Sequence, residues 1–271
     1  MPLYDTIGHD YAQRRRPDPR FAAAIEAALA GASTIVNIGA GTGSYEPSGR
    51  TVLAIEPSEV MIRQRPVGAA RCVQGVAEAL PLADASVDAA MAVLTLHHWT
   101  DPQRGLREMA RVARTRAVVV TWVPDGPAFW LTQEYFPEIL AHDRTIFPDT
   151  PTLAALLERT IGPTRIDPLP VPHDCTDGML CAHWRRPEAY LDPGVRAAIS
   201  SFARIDAAAG LARLRSDLES GRWDARFGHL RALESVDLGY RICCCARGCP
   251  APCAAESSAC FIAGDGSAAR A

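Results

Sequence analysis

The 271-residue chain contains no lysine; all 28 of its basic residues are arginine. Together with the abundance of alanine, this absence reads as base composition of the gene, not as function. A strong charge of either sign is missing too, since the net charge is −3 and the pI about 6.2. No global basic field is therefore available to hold nucleic acid or an anionic membrane surface. No apolar run approaches the ~20 residues that span a bilayer. Residues 1–5 lack the basic-then-apolar pattern of a secretion signal. The expectation is a soluble, cytoplasmic protein with neither a nucleic-acid nor a membrane partner. Internal repeats are absent. A composition of 48% hydrophobic and 22% charged residues excludes wholesale disorder, collagen and coiled coil.

Of the nine cysteines, Cys72, Cys175 and Cys181 are scattered, and six crowd the chain from Cys243 onward. Without a secretion signal a disulfide framework is not expected. Cys245, Cys249 and Cys253 are spaced by three residues, but CxxC pairs and a histidine partner are missing, so no metal site is expected. The stretch 237–246 has the apolar character of a final strand, placed at a sheet edge, with cysteines filling its buried positions. Residues 247–271 are rich in Gly, Ala, Ser and Pro without apolar period and read as a disordered tail.

Strand and helix alternate through the first half. Residues 21–30 form an Ala-rich helix closed by Gly31. Short apolar strands follow at 33–38, 51–56, 70–74 and 87–93. An amphipathic helix at 103–113 precedes the β-branched strand 117–123, which is apolar on both faces as in a buried parallel sheet. The fold class is therefore α/β, a doubly wound and mostly parallel sheet. From Pro124 the pattern loosens into a mainly helical lid, with helical stretches at 152–159, 194–208 and 211–220, and a further strand at 165–171. The organisation is a core over 1–123, a lid with remaining core elements over 124–236, the last strand and the tail.

The sharpest motif is Gly39-Ala40-Gly41-Thr42-Gly43, directly after a buried strand. Glycines there let the backbone turn tightly and approach a ligand at the strand's carboxyl end, where open α/β sheets bind ligands. An ordinary glycine-rich turn is the competing reading. Glu56 ends the second strand seventeen positions after Gly39. An acid in that place can accept both hydroxyls of a ribose. The spacing G-x-G-x-G departs from the G-x-G-x-x-G of dinucleotide sites.

With these motifs the chain resembles the class I S-adenosylmethionine-dependent methyltransferases, especially the small-molecule group that includes ubiquinone/menaquinone-biosynthesis enzymes. Besides the glycine loop, "VLAIEPSEVM", "GVAEALPLADASVDAAMAV" and "LTLHHWTDPQRGLREMARVAR" match family segments in order over residues 33–123. "YDTIGHDYAQRRRPDPR" is similar to the N-terminal segment that closes over the cofactor. The resemblance implies a seven-stranded Rossmann-like sheet and S-adenosyl-L-methionine as cofactor. By the same resemblance Gly39, Ala40, Gly41 and Gly43 pass under its methionine part, Glu56 holds the ribose and Met61 packs near the adenine. Ala77 and Glu78 flank the adenine edge, Val93 and Leu94 line the methionine side, and Tyr11 covers the sulfonium. Two positions depart from the family: Asn37 and Val76 stand where an acid is common.

A methyl transfer is mainly alignment of the acceptor at a near-attack distance of about 3–3.5 Å. A base is needed only where the acceptor must lose a proton. His97 and His98, just after the fourth strand, are the catalytic candidates, His98 ahead; their competing role is packing and helix capping. His173, His183, Trp184 and Arg185 in the lid are candidates for the acceptor site. The function expected is methyl transfer to an O, N or C atom of a small molecule. The alternatives are a cofactor-binding protein without transfer activity or an NAD-dependent oxidoreductase. Oligomeric state is not legible.

Overall fold

The computed structural model describes residues 15–246. Tyr11 and the Cys-rich stretch 247–271, both singled out from the sequence, lie outside the described residues. Helix α1 (Pro19–Ala28) begins two residues earlier than the sequence suggests, because Asp18 caps it by accepting from the Arg20 amide at 2.9 Å and Pro19 occupies the first turn. Strands β1 (Thr34–Ile38), β2 (Thr51–Glu56), β3 (Arg71–Gln74) and β4 (Val87–Val93) follow, with the short helix α2 (Glu59–Arg63) after β2. Helix α3 (Pro102–Val112), capped by Asp101, runs directly into β5 (Ala113–Trp122). Next come α4 (Pro137–Ile146), α5 (Thr150–Thr160), β6 (Thr164–Pro168) and β7 (Val171–Pro172).

The sheet has seven strands in the order β3-β2-β1-β4-β5-β9-β6, where β9 is Tyr240–Ala246. Strands β1 to β5 are mutually parallel, and β9 runs antiparallel between β5 and β6. This corrects the sequence reading of the last strand as an edge. It lies one strand in, with Val119 opposite Cys243 and Ile166 on its other side. Its cysteines behave as small hydrophobes: Cys243 and Cys245 are buried against one face of the sheet and Cys244 packs toward the other. Alternate residues of each buried strand feed opposite cores. Val118 and Val120 join α1 and the lid aromatics, whereas Ala117 and Val119 join α3 and α5.

The stretch read as one helix over 194–208 is broken. Helix α6 (Pro193–Ala197) stops, a 3-10 turn spans Ser200–Arg204, and α7 (Ala208–Glu219) begins anew. Helix α8 (Arg222–Phe227) and strand β8 (Ser235–Val236), paired with β7, complete the lid. Trp130 is the centre of its packing, with Trp223 at 5.3 Å and Tyr135 and Tyr190 both at 5.8 Å between ring centroids. Most of the aromatic excess in this segment therefore fills a core. Among the described residues no helix is long and apolar enough to cross a membrane.

Candidate active site

At the carboxyl end of β1 the chain turns back on β2: the amides of Gly39 and Ala40 both donate to the Ile55 carbonyl, at 2.8 and 3.0 Å. Gly39 has φ +67°, and a Cβ there would collide with Thr95 Oγ1, so the turn leaves no room for a side chain. Glu56 is buried at the end of β2 and clips the loop. Its Oε2 accepts from the Gly41 amide at 2.8 Å and its Oε1 from the Ser58 amide at 2.9 Å. Beneath the loop Glu46 pairs with Arg65 at 2.7 Å, and Arg65 also donates to the Gly41 carbonyl at 3.3 Å. The Asn37 amide donates to Glu46 at 3.3 Å. An acid at 37 would set a second carboxylate against Glu46, which gives the departure at this position a physical reason.

The loop floors a cavity lined by Asn37, Ala40, Gly41, Val93, Leu94 and Arg15. Gly39 and Gly43 shape the loop without lining the cavity. Met61 is buried beside it, 3.4 Å from where a Gly41 Cβ would stand. Ala77 and Glu78 do not line this cavity. Ala77 is buried against Gly105 of α3, and the Glu78 carboxylate accepts from the Asp101 amide at 3.0 Å. Arg15 is held in place by an ion pair to Asp177, whose other oxygen accepts from Tyr45 at 2.9 Å.

A second, larger cavity encloses about 820 Å³ of empty space, open solvent at its mouth included. It shares Arg15 and Leu94 with the first. Leu94 adopts φ +53°, a conformation uncommon for a side-chain-bearing residue and found where local strain serves a site. His97 and His98 floor this second cavity from a 3-10 turn, Leu96–His98. Their rings lie 3.8 Å apart, and His97 stacks on Phe147 at 4.3 Å. Burial lowers the His97 pKa well below the ordinary range, and the neighbouring charges of His98, Arg204 and Arg15 act in the same direction. His98 opens toward the cavity, yet the protein around it, with Arg204, brings its pKa down to about 4. Both rings are thus neutral at pH 7, able to accept a proton but weakly basic.

The lid supplies His142, Asp143 and Phe147 from α4 and its end, Met179 and Cys181 from the stretch before Trp184, and Arg204. Desolvation raises the Asp143 pKa to about 6 against the opposing charge of Arg204. The residues picked from the sequence for the acceptor site lie away from this cavity. Trp184 is 1% exposed, and its indole N–H donates to the Val171 and Pro172 carbonyls at 3.1 and 3.2 Å. Its neighbour Arg185 donates to the Leu233 carbonyl, and His173 pairs with Glu234 at 3.2 Å. His183 packs edge-on against Tyr190. None of the four lines the cavity. Sequence reasoning did not single out Arg15, Asp143 or Arg204, which meet only through the tertiary fold.

The connection from β1 to β2 carries turns but no helix. A dinucleotide site would need a helix N-terminus at that point to receive the pyrophosphate. Among the described residues no group of acids, histidines and cysteines suits a metal ion.

A family model described as "Methyltransferase domain" matches residues 36–121. A crystal structure from Anabaena variabilis, described as a "Putative methyltransferase from antibiotic biosynthesis pathway", is 36% identical. It aligns over 86% of this chain and 99% of its own, with a TM-score of 0.80. The chloroplast 2-methyl-6-phytyl-1,4-hydroquinone methyltransferase of Spinacia oleracea is 29% identical over 115 residues, covering 39% of this chain and 33% of that protein. An uncharacterized methyltransferase of Mycobacterium tuberculosis is 37% identical over 91 residues, 31% of this chain and 37% of its own length. The matched region thus spans about a third of these curated relatives' length.

Proposed function

Because the chain belongs to the class I S-adenosylmethionine-dependent methyltransferases, we propose that it moves a methyl group from S-adenosyl-L-methionine to an O, N or C atom of a small molecule. The observation that carries the reading is the junction of the two cavities at Leu94 and Arg15. One cavity has the glycine floor and the acid-clipped loop that suit the amino-acid and ribose parts of the cofactor. The other has the aromatic and apolar walls of an acceptor site. The missing helix after β1 argues against the NAD-dependent alternative, since no helix N-terminus faces the loop.

The glycine cradle fits the cofactor: Gly39 makes the turn that brings Ala40 and Gly41 to the cavity, and Glu56 can accept further hydrogen bonds on its oxygens. When bound, S-adenosyl-L-methionine supplies an activated methyl group, whose carbon gains a bond from the acceptor's electron pair as sulfur takes back the old bonding pair. The chain's own part is to orient and to dry. Leu94 and Val93 separate the two cavities, Arg15 closes over both, and the lid residues Phe147, Met179 and Ile199 exclude water from the acceptor side. His98 stands at the floor as a neutral hydrogen-bond partner for the acceptor. We place the protein in the cytoplasm. Calorimetry with S-adenosyl-L-methionine, followed by mass spectrometry of a metabolite extract incubated with protein and cofactor, tests the reading. Cofactor binding with a product 14 mass units heavier than a consumed metabolite supports it. Absence of cofactor binding overturns it; binding without any methylated product makes the chain a binder alone.

A further inference from the structure

Two charged groups on the acceptor cavity, the buried Asp143 and the exposed Arg204, have no protein partner among the described residues. Asp143 is 6% exposed, and its carboxylate makes no hydrogen bond to a described residue. Arg204, ending the 3-10 turn Ser200–Arg204, makes neither a hydrogen bond nor an ion pair among the described residues. The two sense each other's charge without forming an ion pair. A mostly buried carboxylate without a donor is costly, and a donor on a ligand in the cavity would offset that cost. The complement of a buried carboxylate is a protic donor, and the complement of a guanidinium is an acidic group. The same cavity has flat walls: Trp122 and Phe147 meet edge to face at 5.3 Å, with His97 against Phe147.

Resting on the methyl-transfer reading, we propose that Asp143 takes the proton of the acceptor's hydroxyl while Arg204 binds an acidic group on the same molecule, so that the acceptor is an aromatic hydroxy acid. The proton leaves the acceptor oxygen for Asp143 Oδ, the carboxylate becomes a neutral acid, and the oxygen keeps its electron pair for the new bond to carbon. His97 and His98 are poorer proton acceptors, because burial and the arginines oppose their charging. Asp143 is better matched to neutral pH, since burial has already raised its proton affinity. Among the described residues, His142, beside it on α4, and Arg15, Cys181 and Tyr240 complete the charged and titratable groups of the cavity.

The test uses the full chain saturated with S-adenosylhomocysteine, whose own binding is measured first. Loss of that binding in the wild type would refute the methyl-transfer reading itself. Calorimetry then compares 3-hydroxybenzoate, benzoate and 3-hydroxybenzyl alcohol. Wild type is expected to prefer 3-hydroxybenzoate to both others by about tenfold or more. Arg204→Gln should erase the preference over the alcohol, and Asp143→Asn the preference over benzoate, with S-adenosylhomocysteine affinity unchanged in each. Either preference missing in wild type, or surviving its substitution, overturns the proposal. With S-adenosyl-L-methionine added, the hydroxybenzoate isomers are assayed for methyl ether by mass spectrometry. Asp143→Asn should lower kcat by about 100-fold or more, beyond the loss of acceptor affinity read by calorimetry. Unchanged kcat, or no ether from any isomer, counts against it equally.

Discussion

Glu56 and Gly41 are joined by a 2.8 Å hydrogen bond in which the buried carboxylate accepts from the loop amide. The acid at the end of β2 therefore belongs to the glycine loop as much as to any ribose. Its other oxygen holds the Ser58 amide, so the carboxylate ties the loop to the start of α2. A ribose held by Glu56 would therefore couple cofactor binding to loop shape through one side chain.

Glu56→Ala should weaken S-adenosyl-L-methionine binding by about 1.5–3 kcal/mol, the usual size for a hydrogen bond to a charged group. Isothermal calorimetry reads this directly. Equal affinity in the two proteins would remove Glu56 from the cofactor site.

Gly39→Ala should be far more damaging than Gly31→Ala, although both positions have positive φ. At Gly31 a Cβ meets nothing within 4 Å, and the cost is that of a side chain in the left-handed region, about 1–2 kcal/mol. At Gly39 it collides with the Thr95 side chain as well. Urea denaturation should show the smaller loss at Gly31 with cofactor affinity intact, and at Gly39 a larger loss together with cofactor binding. Similar effects at both positions would deny the close approach of Thr95.

Much of this loop is legible in sequence because its causes are local. A buried strand followed by glycines and an acid at the next strand end needs no distant contact to be recognised, and strand β4 is found at its observed bounds, Val87–Val93. The place of β9 is not local. An apolar strand reads alike at an edge or between neighbours, and only the pairing of Cys243 with both Val119 and Ile166 distinguishes them. The burial of Trp184 is not local either, since an aromatic beside a histidine has the same signature in a core as in a pocket. Asp143 and Arg204 are 61 positions apart in the sequence and carry no shared motif. Their relation arises where α4 meets the broken helix over 193–204.

The cavity should also leave a trace in the pH dependence of stability. The folded His98 has a pKa of about 4 against an ordinary 6.5, so as pH falls below 6.5 the unfolded chain takes up the proton first and stability is lost down to about pH 4. Asp143 acts in the opposite sense. Its folded pKa of about 6 lies above 3.8, so the folded state protonates first and stability is gained as pH falls from about 6. Between pH 7 and pH 5, His98→Gln should therefore flatten the loss of urea midpoint and Asp143→Asn should steepen it. Parallel curves for wild type and both variants would contradict this account of the cavity's electrostatics.

Packing separates the lid's core from its pocket, and two aromatic substitutions expose the difference. Trp184 is buried, with its indole N–H on two backbone carbonyls, so Trp184→Ala should cost about 3–5 kcal/mol in urea denaturation. Trp184→Phe keeps most of the volume and loses the hydrogen bonds, for about 1–3 kcal/mol as the carbonyls lose their partner. While folded, that variant should bind S-adenosylhomocysteine and the cavity ligand 3-hydroxybenzoate within about twofold of wild type, a difference of roughly 0.4 kcal/mol. Phe147 is half-buried on the cavity wall, stacked on His97 and edge-on to Trp122. Phe147→Ala removes one face of the slot in which a flat ring would lie. It should lower 3-hydroxybenzoate affinity by about tenfold, or 1.4 kcal/mol, and spare the cofactor, because Phe147 does not reach the glycine-floored cavity. Calorimetry and denaturation on the same preparations measure both effects. If Trp184→Phe alters ligand affinity more than Phe147→Ala does, the roof of the acceptor site is where the histidine- and arginine-rich stretch around Trp184 first suggested, and the cavity over His97 and His98 is not the place of transfer.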